Sequence, residues 1–138
     1  MATQLGTTVS GSFDLVTGPL AGSAAGDHDV DGGVTSVQSP PISLPGSGTL
    51  TLSFSWYLAH LNNASSADYL RVRVVGGSTV TVLNVAGAAS NRAAAWQSAS
   101  ANISALAGQS IRIVVDAADA SGASLVEAAV DDVRIVQS

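Results

Sequence analysis

The chain has 138 residues, the length of one domain and enough for a single hydrophobic core. Ten acids stand against five cations for a net charge of −5, so there is no basic stripe to displace phosphate counterions, which excludes a general nucleic-acid binder. Cysteine is absent, which excludes disulfides, thiol nucleophiles and thiolate metal sites, and no apolar run is long enough for a membrane-spanning helix.

In chain order, residues 7–16 read as a first strand, followed by a turn-rich stretch over 18–26. The sequence Asp27-His28-Asp29-Val30-Asp31-Gly32-Gly33 comes next, with carboxylates at every second position before a glycine pair. Short strands are predicted over 34–37 and 41–44, bounded by the turn Pro45-Gly46-Ser47-Gly48. Over 50–58, Leu50, Leu52, Phe54, Trp56 and Leu58 alternate with Thr51, Ser53, Ser55 and Tyr57, the period of a half-buried antiparallel strand. After a turn over 62–66, Leu70, Val72 and Val74 alternate with Arg71 and Arg73, and the Gly76-Gly77 pair predicts a hairpin into Val80 and Val82. Beyond a turn over 86–91, strands are expected over 96–103, 111–115 and 125–136, with 117–123 reading as a further turn. Nine short strands without an amphipathic helix predict an all-β fold, a two-sheet antiparallel sandwich. The alanine-rich pieces are too short or too interrupted to stand as helices. No internal repeat or linker divides the chain, so residues 1–138 read as a single domain, with residues 1–6 expected to lie flexibly outside it.

The acids carry the clearest chemical signal. Alternate aspartates in a turning loop converge on a hard cation, and Ca²⁺ takes six to eight oxygens, so Asp27, Asp29 and Asp31 are candidate metal ligands. Gln38 stands where an EF-hand carries its bidentate Glu and no helices flank the loop, so this is not an EF-hand. In the last strand Val126, Ala128 and Val130 occupy even positions while Val133 and Ile135 occupy odd ones, and the phase slips at Asp131-Asp132. Such a slip is how a β-bulge reads in sequence, and it brings one aspartate onto the apolar face, where a carboxylate must be paired or metal-bound. Asp131 or Asp132 is therefore expected to complete the ion site if first and last strands are neighbours. The competing reading is a solvated turn with side-chain-to-backbone hydrogen bonds.

Catalytic signatures are missing. The two histidines, His28 and His60, belong to no nucleophile elbow or zinc-protease motif, and the acids Glu127, Asp131 and Asp132 are a weak match to a glycosidase pair. Trp56 shares the core phase, whereas Tyr57 points to the other face. With His60 and Asn62 it is a candidate ligand-binding surface, and Arg71 and Arg73 are candidates for an anionic group.

Several segments carry a resemblance: Phe13-Asp14-Leu15-Val16-Thr17-Gly18, DVDGGVTSVQSPPISLP at 29–45, LSFSWYLAHLNNASSADYLRVRV at 52–74, Ala95-Trp96, and LAGQSIRIVVDAADASGASLVEAAVDDVRI at 106–135. Together they resemble the jelly-roll accessory domain carried at the C-terminus of secreted bacterial metalloproteases, carboxypeptidases and subtilisin-like proteases, similar in architecture to MAM-like and carbohydrate-binding-module sandwiches. The resemblance implies a two-sheet jelly roll without catalytic residues, secreted with a parent catalytic domain. It also implies a structural Ca²⁺ held by Asp29, Asp31 and the Asp131-Asp132 pair, with Asp27 an additional acid outside the pattern. The implied partners are the parent enzyme and its protein or polysaccharide substrate. Two alternatives stand beside it, a carbohydrate-binding module and a domain for processing or secretion. A methionine start without a basic, apolar leader reads as either an excised mature domain or a cytoplasmic protein.

Overall fold

The computed structural model describes residues 2–17, 32–120 and 124–138, and these form an all-β sandwich. Nine strands run in order: β1 (Leu15–Val16), β2 (Gly33–Gln38), β3 (Ile42–Ser43), β4 (Leu50–His60), β5 (Tyr69–Val75), β6 (Thr79–Ala86), β7 (Gln97–Asn102), β8 (Ser110–Asp119) and β9 (Val126–Gln137). A single 3₁₀ turn, Ser104–Leu106, joins β7 to β8. One antiparallel sheet has the order β1-β9-β4-β7 and the other β2-β8-β5-β6, with β3 pairing β8 in line with β2. With β2 and β3 counted as one interrupted strand, this is the strand order of a jelly roll.

The core lies between the two sheets and is built from the alternating rows read in the sequence. Leu50, Leu52, Phe54, Trp56 and Leu58 of β4 meet Leu70, Val72 and Val74 of β5, with Ile111, Ile113, Val126, Ala128 and Val130 from the two longest-range strands. The hairpin at Gly76-Gly77 is present, closed by Gly76 N–H donating to the Ser78 carbonyl. The phase slip in the last strand is a bulge: the β4–β9 register shifts between Ser53 and Ser55, opposite Arg134 and Asp131, and Asp132 takes a positive φ of 54°.

Two expectations change. Residues 117–119 are not a turn but the end of β8, because Ala117 and Ala118 continue its ladder to β5 and β2. Residues 7–14 are not strand: the backbone N–H groups of Val9 and Ser10 donate to the Asp131 carboxylate instead of to a neighbouring strand, so only Leu15 and Val16 pair with β9. Residues 2–5 are also engaged, since Ala94 N–H donates to the Ala2 carbonyl and Leu5 N–H donates to the Tyr57 hydroxyl. The N-terminal segment is therefore a strap across the outer face of the β1-β9-β4-β7 sheet.

Candidate functional site

The core-facing rows of four strands all end in a polar residue at one end of the sandwich. The even row of β4 ends at His60, the even row of β5 is preceded by Asp68, the odd row of β8 ends at Asp119, and the even row of β9 is preceded by Ser124. These four are at most 4% exposed. Because Tyr69 pairs with Ala118, the register carried one step further sets Asp68 opposite Asp119, and Asp119 pairs on its other side with Gly33.

Asp68 and Asp119 converge on one hydroxyl. Ser124 Oγ lies 2.7 Å from Asp119 Oδ1 and 3.5 Å from Asp68 Oδ2, and its one proton can serve only one of them. Ser124 N–H donates to Asp119 Oδ2, Ser65 N–H to Asp68 Oδ2 and Ala120 N–H to Asp68 Oδ1. Among the described residues neither carboxylate forms an ion pair, since the two salt bridges are Arg73–Asp116 and Arg134–Asp132. A buried carboxylate is normally paired or metal-bound, and here both are held by hydrogen bonds from Ser65, Ala120 and Ser124. Their oxygens suit Ca²⁺ but fall short of its six to eight ligands, and no cluster of three or more metal-ligating side chains forms among the described residues. The sequence reading missed this pair. The signal was there, because Asp119 follows Ile111, Ile113, Val115 and Ala117 in phase and Asp68 precedes Leu70, Val72 and Val74 in phase.

Of the expected metal ligands, Asp27, Asp29 and Asp31 lie outside the described residues. The chain re-enters the described structure at Gly32 and pairs at Gly33 with Asp119, not with Asp131, which is the sixth residue of β9 in the other sheet. Asp131 Oδ2 accepts from Val9 N–H at 2.7 Å and Ser10 N–H at 3.0 Å, and its Oδ1 from Asp132 N–H at 2.7 Å. Asp132 accepts from Arg134 Nε at 2.9 Å. Both carboxylates are thus already engaged, Asp131 in holding the strap and Asp132 in an exposed pair.

Beneath the strap sits a second polar group. Tyr57 does point away from the core, as its phase predicted, but it is 0% exposed, its ring edge-on to Trp96 with centroids 4.9 Å apart. The exposed aromatic surface expected from Tyr57 and His60 is therefore corrected: the strap covers the first, and the second is 2% exposed at the end of its strand, its Nδ1 beside the Leu61 carbonyl. Asn62 does lie in an exposed loop, its N–H donating to Asn91 Oδ1. On the outer face of the other sheet Arg73 pairs with Asp116 at 2.9 Å and Arg71 stacks over the Tyr69 ring at 4.4 Å, so both are engaged within the fold. Thr17 Oγ1 donates to Glu127 Oε2 at 2.8 Å. Glu127 and Asp131 are four residues apart along one strand face, about 13 Å at ~3.4 Å per residue. That is wider than the carboxylate separations glycosidases use, up to about 9.5 Å.

Asp14 and Asp131 respond oppositely to pH. Burial first, and then the Asp131 charge, raise the Asp14 carboxyl above its ordinary value, and its Oδ2 is buried without a hydrogen-bond partner among the described residues. Burial also acts to raise Asp131, but the N–H groups of Ser10, Asp132 and Val9 together outweigh it and leave the group lowered. A raised acid costs stability once it ionises, whereas a lowered acid contributes stability above its unfolded value and loses it as pH falls through its folded value. The strap is accordingly expected to be held best between the two folded-state values, around the ordinary carboxylate range, loosening both toward neutral pH and in acid. Protection of the Val9 and Ser10 amides against hydrogen exchange, corrected for intrinsic rates, checks this; protection independent of pH counts against it.

The uncovered part of the same outer face carries a shallow polar pocket lined by Ser53, Ser55, Ser98, Ser100 and Asp132. Among the described residues no helix is long and apolar enough to cross a membrane. No family model matches the chain, and no curated protein matches it significantly in sequence.

Proposed function

We propose that this chain is a non-catalytic, calcium-stabilised accessory domain of a secreted bacterial hydrolase, in the manner of the protease-attached jelly rolls its sequence resembles, acting in substrate attachment or in stabilising the enzyme. The observation that carries the reading is the Asp68–Asp119 pair, buried without a cation partner among the described residues at the edge where Gly33 joins the sheet. Asp27, Asp29 and Asp31 directly precede that point in the sequence and offer the right donor chemistry for the remaining oxygens. When bound, the ion supplies structural charge balance and no chemistry. The chain's own part is to present two pre-oriented carboxylates, fixed by Ser124 and by the Ser65 and Ala120 amides, so that little ordering accompanies binding.

The test is thermal unfolding of the protein in calcium and in EDTA, with the ion content measured after dialysis. Saturation at a hundred times the dissociation constant is expected to add about 2.7 kcal/mol. An unchanged melting temperature together with no bound metal overturns the calcium reading. A second reading, a carbohydrate-binding module, is favoured by the serine pocket beside Asp132, where hydroxyls and one carboxylate match the hydrogen bonding of a sugar diol. It predicts polysaccharide retention that Ser55→Ala and Ser98→Ala weaken and Tyr57→Phe does not.

A further inference from the structure

The serine pocket and the covered aromatic pair belong to one surface. Ser53 pairs with Ser100 and Ser55 with Ser98, so the hydroxyls of the pocket stand in two rows along β4 and β7. The next residues on that face are Tyr57 and Trp96, whose rings meet edge-on at 4.9 Å. The strap lies over this aromatic half and leaves the serine half open.

What seats the strap is its backbone. The Ala2 carbonyl accepts from Ala94 N–H, Leu5 N–H donates to the Tyr57 hydroxyl at 3.3 Å, and the Thr7 carbonyl accepts from Trp96 Nε1 at 3.3 Å. The Val9 and Ser10 N–H groups donate to the Asp131 carboxylate. None of residues 2–14 is buried, and Val9 and Phe13 are 42% and 89% exposed. A segment with so little buried apolar surface of its own opens at less than the free energy of global unfolding. Its opening frees the Trp96 N–H, the Tyr57 hydroxyl and the Asp131 carboxylate together, in line with the serine hydroxyls.

We propose that the strap is a displaceable cover on a carbohydrate-binding face, and that a neutral polysaccharide chain takes the place of residues 5–10 to extend from the serine pocket onto Tyr57 and Trp96. The inference rests on the carbohydrate-binding reading and adds how that site is regulated. The strap itself indicates the chemistry of its replacement, since it is an extended polar chain held by N–H, O–H and carboxylate groups across two aromatic rings. Sugar hydroxyls match those polar groups, and the apolar faces of sugar rings pack on the aromatic ones. Charge selects a neutral chain: Asp131 stands opposite Ser55 and Asp132 lines the pocket, so an acidic glycan is repelled.

Affinity electrophoresis through soluble starch, laminarin and galactomannan, with polygalacturonate as the charged counterpart, tests this on the whole chain and on its Asp131→Asn and Val9→Pro variants. Each substitution removes part of the clasp, and Val9→Pro alters an exposed residue, which keeps the test valid if Asp131→Asn perturbs folding. Acrylamide quenching of tryptophan fluorescence reports release of the strap, because Trp56 is 6% exposed in the core whereas Trp96 is bound to the strap. The expected result is that a neutral glycan retards the unmodified chain, and that both variants are quenched more and bind that glycan about tenfold more tightly, since a closed cover lowers apparent affinity by the open fraction. Adding Trp96→Ala is expected to cancel the gain. Greater quenching with unchanged retardation overturns the cover and leaves the serine-pocket reading standing. Quenching and retardation both unchanged overturn it too, because the strap is then not held by this clasp. If no neutral glycan retards any variant, or polygalacturonate alone does, the neutral-carbohydrate reading fails and takes this inference with it.

Discussion

Asp119→Asn is expected to lower the melting temperature in calcium and to leave it nearly unchanged in EDTA. The substitution keeps the shape of a side chain that is 0% exposed, so packing is preserved and the charge alone is removed. On the proposed calcium reading the variant in calcium loses a ligand, and with it up to about 3 kcal/mol at saturating ion. Without the ion, Asp119 stands beside a second buried carboxylate with no cation partner among the described residues, and removing its charge relieves that repulsion. The relief offsets the hydrogen bond lost from Ser124 N–H, about 1 kcal/mol. An equal destabilisation in both buffers would show that Asp119 is a structural acceptor only, and the calcium reading would then fail at this site. Asp132→Asn, altering an exposed ion pair, is expected to move the melting temperature little in either buffer.

Tyr57→Ala is expected to cost about 3–5 kcal/mol, the range for truncating a fully buried large aromatic. A domain of this size is stable by only about 5–15 kcal/mol, so the loss is a large part of the total. The ring fills the space between β4 and the strap, holds Trp96 edge-on and receives the Leu5 amide on its hydroxyl at 3.3 Å. Tyr57→Phe retains the ring and removes only that hydrogen bond, a cost of about 0.5–1.5 kcal/mol. Denaturant unfolding of the two variants checks the ratio. If both proved equally mild, the strap would not be packed on this face.

The long central strands β4 and β5 were legible because each buries one face along most of its length, and burial of one face writes itself as alternation. β4 was read as 50–58 and runs Leu50–His60; β5 was read as 70–74 and runs Tyr69–Val75. The bulge at Asp131-Asp132 was legible for the same reason, since an extra residue must shift the phase. Alternation does not say what covers the other face. Tyr57 was expected on an exposed surface, and it lies on that face, but contacts from Leu5 and Trp96, both distant in sequence, cover it. Val9 and Ser10 looked like strand from their neighbours and were drawn off by a carboxylate more than 120 positions later. The acidic pair was missed because Asp68 and Asp119 stand 51 positions apart in the sequence and meet only through the pairing of β5 with β8.

The strand order has a consequence for how the molecule comes together. β8 lies between β2 and β5, and β9 lies between β1 and β4, so the two strands furthest along the chain are interior members of their sheets. Neither sheet can close from the first hundred residues, and until the last strands arrive the apolar rows of β4 and β5 have no neighbours on that side. Assembly therefore belongs to the slow regime of long-range pairing, milliseconds to seconds for β sandwiches. A nascent chain halted before residue 126 holds an unfinished surface in place of a partial domain, and the final dozen residues act as the keystone that locks both ends of the chain together.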